Sequence, residues 1–205
     1  MGTRLSTTML VLIVGLLSIY SRCSKEVLGC TENGYAFKID VKVYPDKDSV
    51  NIGDTIWAEM SFPSSLLDQT NQMIDFSKAN NLGTEMGFVK VVNISPIALS
   101  DAVNDFAFIL VSGKELASSS TQLLKEYLFQ ESGNHYIFKL AIIPQSSGTF
   151  RFNMVNAVNV YRNGNACPKA SFYYQLFNTT NQHYYLYPGG SGVTPAGADY
   201  YFYVR

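Results

Sequence analysis

Short runs in which apolar and polar residues alternate recur along most of the chain after residue 34. Residues 35–44 (YAFKIDVKVY) and 54–62 (DTIWAEMSF) show the alternation most clearly, and a period of two is typical of a strand that buries one face. Turn-forming residues, such as those at 132–134, separate the runs. The pattern predicts strands at 35–44, 54–62, 87–94, 105–112, 126–130, 135–143, 149–155, 157–161, 171–177, 183–187 and 199–204. So many short strands predict an all-β protein, folded as an antiparallel two-sheet β-sandwich.

Two stretches invite comparison with a helix, and both favour a loop. Residues 71–82 are polar and rich in Asn, and residues 115–127 have leucines at helical spacing that Ser118 to Thr121 interrupts. Ser and Thr compete with helical hydrogen bonds through their own side chains. No repeat and no Pro/Gly/Ser-rich linker divides the later chain, so we expect residues 35–205 to form a single domain.

The beginning of the chain has the pattern of an export signal. Arg4 precedes a polar stretch, and an apolar run extends from Met9 to Tyr20. A helix of about 12 residues spans about 18 Å, well short of the roughly 30 Å hydrocarbon core of a membrane. We therefore predict a signal peptide at residues 1–22 rather than a permanent membrane span.

The cysteine at position 23 suggests how the signal is removed. A bacterial lipoprotein is cut immediately before such a cysteine, and the segment from Ile19 to Cys23 resembles a lipobox, with Arg22 in place of the usual small residue. Ordinary signal peptidase cleavage after Ser21 is the alternative. We predict lipidation of Cys23, with residues 23–34 as an anchor or tether.

The other two cysteines form an even pair once Cys23 carries a lipid. Cys30 lies near the start of the mature chain and Cys167 lies close to its C-terminal part. Paired cysteines in an oxidising compartment usually form a disulfide. We predict a Cys30–Cys167 disulfide, and two unrelated thiols are the alternative.

The charge balance excludes a nucleic-acid partner. The chain has 15 Lys and Arg against 16 Asp and Glu, and its formal net charge is −1. Binding to phosphates depends on clustered Lys and Arg, and no such cluster is visible.

Catalytic and metal-binding patterns are missing from the sequence. His135 and His183 are the two histidines, in separate predicted strands without a ligand-spaced partner. No Gly-x-Ser-x-Gly elbow and no phosphate-cradling Gly motif is present. The turn at 45–48 (PDKD) could suggest a cation site, but it is more typical of a solvated turn.

Carboxylates give no stronger signal for catalysis. Asp40, Asp54, Glu59 and Asp75 are candidates for glycoside cleavage only by residue type. We therefore expect a protein that is not an enzyme, with no catalytic residue, no metal and no cofactor.

Aromatic residues are dense near the C-terminus. The doublets Tyr173-Tyr174, Tyr184-Tyr185 and Tyr200-Tyr201 lie there. Adjacent strand residues face opposite sides, so each doublet exposes one ring unless both faces of its strand are covered. Such rings could form a binding platform, although tyrosine is also common in ordinary strands. By the same alternation, we expect Trp57 to face outward with Glu59.

Two segments resemble parts of immunoglobulin-like domains. Residues 49–60 (SVNIGDTIWAEM) resemble the approach to their second strand, and residues 145–152 (QSSGTFRF) resemble the approach to their sixth. Where antibody domains place the inter-sheet cysteines, this chain has Met60 and Phe152. The resemblance implies an immunoglobulin-like sandwich in which Met60 and Phe152 are buried in one core between two sheets.

The region after the signal also resembles a family of uncharacterised exported proteins and lipoproteins of Bacteroidota. The residues that carry this resemblance are Cys30, GDTIW at 53–57, SFP at 61–63, DFS at 75–77, GTF at 148–150, Cys167 and YFYVR at 201–205. The resemblance implies that the protein is exported and has a sandwich fold, but it implies no reaction.

These observations lead us to expect a non-catalytic β-sandwich that binds a protein or a glycan. Its location would be the outer membrane or cell envelope, through a lipid on Cys23, or the secreted or periplasmic space if the chain is not lipidated. A structural or assembly component of the envelope is the alternative, followed by an exported hydrolase with an unrecognised site.

Overall fold

β-Strands account for most of the described part of the chain. The computed structural model describes residues 34–94, 97–117, 123–162, 169–176, 178–187 and 197–205. Within these ranges the helical elements are two short 3-10 helices, Val103–Asp105 and Tyr184–Leu186. The prediction of an all-β protein is confirmed.

The strands differ greatly in length, from two residues to twelve. In chain order they are β1 (Tyr35–Asp40), β2 (Lys42–Tyr44), β3 (Ser49–Val50), β4 (Ile56–Pro63), β5 (Ser65–Leu67), β6 (Met73–Asp75), β7 (Ala79–Asn80), β8 (Gly83–Ile94), β9 (Ile97–Asp101), β10 (Phe106–Ser112), β11 (Lys114–Glu115), β12 (Leu124–Leu128), β13 (Gln130–Ser132), β14 (His135–Pro144), β15 (Gly148–Met154), β16 (Ala157–Arg162), β17 (Lys169–Gln175) and β18 (Asp199–Val204).

Two large sheets form the body of the sandwich. The five-stranded sheet has the order β10-β14-β4-β2, with β13 also paired to β14. The seven-stranded sheet has the order β11-β12-β8-β15-β18-β3, with β9 also paired to β8. Aromatic rings join the sheets, because Phe106 of β10 lies 5.0 Å from Phe150 of β15 and 6.0 Å from Phe202 of β18.

A third sheet departs from the expected two-sheet arrangement. β1, β17, β16 and β7 form a four-stranded sheet, and β5 pairs with β6 in a small sheet of its own. β1 and β17 are parallel, as are β18 and β3, whereas the other strand pairs are antiparallel. The four-stranded sheet shares the core, because Phe172 of β17 lies 6.1 Å from Phe62 of β4.

The core is one connected hydrophobic cluster with residues from all three larger sheets. Met60 of β4 and Phe152 of β15 both belong to it and are almost fully buried. The prediction that these two residues are buried in one core is confirmed.

Three predicted segments differ in detail. Residues 183–187 were expected to form a strand but contain the 3-10 helix Tyr184–Leu186, because His183 has a left-handed backbone (φ 51°) that an extended strand does not allow. The stretch 71–82, expected to be a loop, contains the short strands β6 and β7, and the stretch 115–127 contains most of β12.

Candidate functional site

Strand β4 turns one face to the core and the other outward. Its buried residues alternate with Trp57, Glu59 and Ser61. Because β4 lies between β14 and β2, these outward residues stand in the middle of the five-stranded sheet. The prediction that Trp57 faces outward with Glu59 is confirmed.

A row of apolar side chains crosses the outward side of the five-stranded sheet. Ile109 is paired with Ala141, Ala141 with Trp57, and Trp57 with Tyr44. Directly paired residues of antiparallel strands lie on the same face, so these residues form one row across the sheet, in which Ala141 itself is buried. Ile109 is 56% exposed.

A charged row runs beside the apolar one. Lys139 is paired with Glu59, and Glu59 is paired with Lys42. We call the two rows together the outer face; its members are Ile109, Ala141, Trp57, Tyr44, Lys139, Glu59 and Lys42.

The two aromatic rings of the outer face are stacked, and lysine side chains lie over them. The ring centres of Tyr44 and Trp57 are 6.2 Å apart, with an angle of 21° between the planes. Nζ of Lys139 lies 5.0 Å from the ring centre of Trp57 and 5.6 Å from that of Tyr44. Nζ of Lys42 lies 5.5 Å from the ring centre of Tyr44. Each contact is within the range of a cation–π interaction.

Glu59 joins the rings to the lysines. Its Oε2 accepts a hydrogen bond of 2.8 Å from the hydroxyl of Tyr44 and lies 3.3 Å from Nζ of Lys139. The hydrogen bond from Tyr44 lowers the pKa of the Glu59 carboxyl below its ordinary value, and Lys139 acts in the same direction. The hydroxyl of Tyr44 and the carboxylate of Glu59 raise the pKa of Lys139. The outer face is therefore an ordered, charged cluster at neutral pH.

Two of the tyrosines near the C-terminus have a different role. Tyr174 and Tyr200 are buried, and their hydroxyls donate to the carbonyl oxygens of Gly83 (2.7 Å) and Lys47 (2.9 Å). Desolvation raises the pKa of both hydroxyls. These residues stabilise the fold rather than form a platform.

The tyrosine doublets follow the expectation from strand geometry. Tyr173 is 43% exposed and Tyr174 is 2% exposed, so this doublet has one ring outward. Tyr200 and Tyr201 are both buried, because both faces of β18 are covered. The remaining doublet lies in the second 3-10 helix, where the strand rule does not apply.

The turn at 45–48 binds a distant part of the chain. Nε2 of His183 lies 2.9 Å from Oδ1 of Asp46, so Nε2 donates a hydrogen bond to the carboxylate. Asp46 also accepts from the backbone N–H of Asn181, and Asp48 accepts from the hydroxyl of Tyr185. These hydrogen bonds hold residues 178–187 against the turn. The sequence did not indicate this contact, because the turn is typical of one that is exposed to solvent.

The Asp46–His183 pair offers no reactive nitrogen to a substrate. Nδ1 of His183 is buried and lacks a hydrogen-bond partner among the described residues, and the ring is enclosed by Tyr185 and Tyr200. A general base must be within hydrogen-bond reach of the substrate. This pair is therefore a structural contact.

A cleft of about 350 Å³ contains two opposed carboxylates. Glu126 of β12 is paired directly with Glu85 of β8, and both line the cleft together with Asn81 and Asn156. Directly opposed residues have Cβ atoms about 4.5–5.5 Å apart. The sequence does not reveal this pair, because only the strand register brings residues 85 and 126 together.

The carboxylates that the sequence offered as candidates are held separately. Asp40 accepts from the side-chain amide of Gln175, Asp54 accepts from the backbone of Asn51, and Asp75 forms an ion pair with Arg162. Glu59 belongs to the outer face. His135 lies at the exposed start of β14, as expected.

The predicted lipidation and disulfide sites lie outside the described residues. This applies to Cys23, Cys30 and Cys167, and also to the signal peptide at 1–22. These predictions remain predictions.

Comparison with known proteins supplies no relative. No protein-family model matches the chain, and neither a curated protein nor a solved structure matches it. Within the described ranges, no helix is long and apolar enough to cross a membrane. The same ranges contain no cluster of three or more His, Cys, Asp or Glu side chains that could hold a metal ion.

Proposed function

We propose that this protein is a non-catalytic, immunoglobulin-like binding module of the cell envelope, and that its outer face binds a partner protein. The immunoglobulin-like assignment is supported by strand order. Immunoglobulin domains have one sheet in the order A-B-E-D and another with C, F and G. The order β2-β4-β14-β10 and the neighbours β8, β15 and β18 follow the same scheme, in the same chain order.

The outer face is the observation that carries the binding function. It combines a stacked tryptophan and tyrosine with an exposed aliphatic residue, Ile109, and a charged row at one side. Protein interfaces are enriched in aromatic residues at their centre and have a polar rim. The arrangement of the two rows fits this anatomy.

A protein fits the outer face better than a glycan does. Stacking a sugar on an aromatic ring requires an open ring face, whereas Lys139 lies over both rings and Lys42 lies over Tyr44. An exposed aliphatic side chain in the same row as Trp57, Ile109, adds apolar area that a polar sugar does not use. We infer a partner surface with an apolar centre.

The cellular location of the protein is part of the proposal. A lipid on Cys23 would tether the sandwich to a membrane through residues 23–34, and the alternative is a soluble secreted or periplasmic protein. Mass spectrometry of the native protein should show an acylated peptide beginning at Cys23, and Cys23→Ala should release the protein from membranes. A mature chain beginning at Arg22 would exclude the lipid.

The single tryptophan allows a direct test of the outer face. Protein containing 5-fluorotryptophan has one ¹⁹F signal, from position 57. The protein fraction of the envelope of the producing cells should shift or broaden this signal, and the same fraction after protease digestion should not. A response to protein-free envelope polysaccharide would replace the protein partner with a glycan, and no response to either fraction would refute the function.

A matched pair of variants locates the interaction. Lys139→Glu reverses the charge over the two rings and should reduce the response at least tenfold. Lys38→Glu makes the same change at an exposed position of the four-stranded sheet and should leave the response unchanged. Equal effects of the two variants would place the binding site elsewhere.

A second candidate function is glycoside cleavage in the cleft of Glu85 and Glu126. The opposed pairing is the specific observation in its favour, because it places two carboxylate side chains on the same side of neighbouring strands, and retaining glycosidases act through a pair of carboxyl groups. If the cleft is catalytic, the protein should release reducing sugar from envelope polysaccharide, and Glu85→Gln and Glu126→Gln should each abolish the release. Asp101→Asn, an exposed strand residue, is the control.

A further inference from the structure

The free edge of the five-stranded sheet is formed by a long strand without charge. β10 has the sequence FAFILVS, and it pairs with β14 on one side while no strand of the described chain pairs with its other side. Ala107, Ile109 and Val111 are exposed on this strand. Such an edge presents unpaired backbone N–H and C=O groups beside apolar side chains, which is the arrangement that pairs with another strand.

The other outermost strands of the three larger sheets, and β9, are blunted. β2 has three residues, begins with Lys42 and is followed by Pro45, while β3, β7 and β11 have two residues each. The longer edge strands β1 and β9 carry charges at Lys38 and Asp101. Short strands, charges, proline and β-bulges are the usual means by which proteins prevent edge pairing, and β10 itself has a register shift between Leu110 and Ser112 near its end. Among these edges, β10 alone is both long and without charge.

We propose that β10 pairs with β10 of a second copy of this chain, in antiparallel register about Ile109, to form a two-fold symmetric dimer. In this register Ile109 faces its own copy and Phe108 faces Leu110, while Ala107 lies opposite Val111, where the pairing of β10 with β14 shifts register between Leu110 and Ser112. Aliphatic and aromatic cross-strand pairs are favourable, and the strand places no like charges opposite each other. The pairing uses the edge of both copies, so the assembly closes at the dimer.

The residues at the two ends of β10 support a second copy as the partner. Asp105 precedes the strand and Lys114 follows it. Antiparallel pairing about Ile109 brings Asp105 of one copy beside residues 113 and 114 of the other, so opposite charges approach each other at both ends. A parallel pairing would instead bring Asp105 beside Asp105 and Lys114 beside Lys114.

The dimer would double the outer face. The row from Ile109 to Tyr44 continues through the two-fold axis into the same row of the second copy, which gives one continuous sheet with two binding surfaces. Two linked sites increase overall affinity without any new contact. The proposed dimer depends on the properties of β10 alone. The doubling of the binding surface also depends on the proposed function.

The oligomeric state in solution tests the proposal. We expect light scattering of the purified, processed protein to give twice the mass of one chain. Ile109→Lys should give a single chain, because it places two lysines against each other at the two-fold axis. Val92→Lys introduces the same charge on a strand of the seven-stranded sheet at the same exposure, 56%, and should remain dimeric. A wild-type protein of single-chain mass, or a dimeric Ile109→Lys protein with native circular dichroism, would overturn the dimer.

Cysteine cross-linking keeps the proposal testable if Ile109→Lys does not fold. Ile109→Cys should form a disulfide-linked dimer under mild oxidation, because directly opposed strand residues meet the Cβ separation of a disulfide. Val92→Cys should form no more cross-linked dimer than the wild type, which controls for the natural cysteines. Equal cross-linking of Ile109→Cys and Val92→Cys would refute this register. Neither measurement depends on the ¹⁹F signal of Trp57, so the dimer and the binding function can fail separately.

Discussion

The C-terminal strand β18 and the outer face of the five-stranded sheet use aromatic rings in opposite ways. In β18 the rings of Tyr200 and Phe202 are buried, and the hydroxyl of Tyr200 is bound to a backbone carbonyl. On the outer face the rings of Tyr44 and Trp57 are partly exposed and are held by lysines and by Glu59.

The contrast shows that aromatic density in a sequence does not locate a binding surface. Tyr200 and Tyr201 fill space on the two faces of β18, whereas Tyr173, Tyr184, Tyr185 and Tyr203 are exposed. The outer face has two aromatic residues, but each contacts a charged partner rather than the core. What a ring contacts therefore separates a structural aromatic residue from a candidate binding residue.

The largest expected loss of stability comes from truncating a core side chain beside β18. Phe152→Ala removes a buried ring that lies 5.3 Å from Tyr200 and 5.8 Å from Phe88. It should lower the free energy of unfolding by about 3–5 kcal/mol, the usual range for a truncated core phenylalanine. Trp57→Ala should cost less than half as much in the same urea titration, because its ring is partly exposed. Equal losses would show that the outer face is part of the core.

A smaller effect should separate the two members of one tyrosine doublet. Tyr174→Phe removes a buried hydroxyl that donates to the carbonyl of Gly83 and should cost about 1–2 kcal/mol, because the carbonyl is left without its donor. Tyr173→Phe changes an exposed residue and should stay within about 0.5 kcal/mol of the wild type. Thermal or urea unfolding of the two variants measures the difference. A neutral Tyr174→Phe would contradict a structural role for its hydroxyl.

The contact between the turn at 45–48 and residues 178–187 should be weaker still. Asp46→Ala removes the acceptor for His183 and Asn181 and should cost about 1 kcal/mol, since the carboxylate is partly exposed. Hydrogen exchange of the amides in residues 178–187 should accelerate, while exchange in β4 stays unchanged. Asp54→Ala, at another exposed turn, is the control. Uniform acceleration along the chain would indicate global destabilisation instead.

The smallest effect belongs to the charged row of the outer face and depends on pH. The folded-state pKa of Glu59 is lowered, so its stabilising contribution is present above the unfolded pKa of about 4.5 and is lost as the pH falls through the folded value. Glu59→Gln should lower the free energy of unfolding by about 0.5 kcal/mol at neutral pH. The two proteins should become equally stable well below pH 4.5. A difference that persists in acid would exclude the ionised carboxylate as its cause.

Much of the fold could be predicted from residue patterns. The alternation in β4 predicted both its buried residues and the outward position of Trp57, because successive strand residues must face opposite sides. The four-stranded sheet could not be predicted, because β1 and β17 are separated by more than 120 residues and pair in parallel. The 3-10 helix after His183 could not be predicted either. A run of tyrosines is typical of a strand, and the left-handed backbone of His183 is visible only in the structure.

The candidate site was only partly predictable. The sequence placed Trp57 and Glu59 together on one face, but Tyr44 and Lys139 join them only through the pairing of β2 and β14 with β4. The same applies to Glu85 and Glu126, which the register of β8 and β12 brings face to face.

The sequence by itself determined most of the strand-forming segments and the side of each strand that carries apolar residues, and its resemblance to immunoglobulin-like domains predicted the burial of Met60 and Phe152. The strand segments and their apolar sides are local properties, because the two-residue period of a strand is visible in adjacent positions of the sequence. Only the tertiary structure decided which strands pair, that β18 is covered on both faces, and that β10 lies at a free edge. These properties depend on contacts between residues far apart in the chain, and the free energy of such contacts comes from the packing of whole sheets rather than from any single segment.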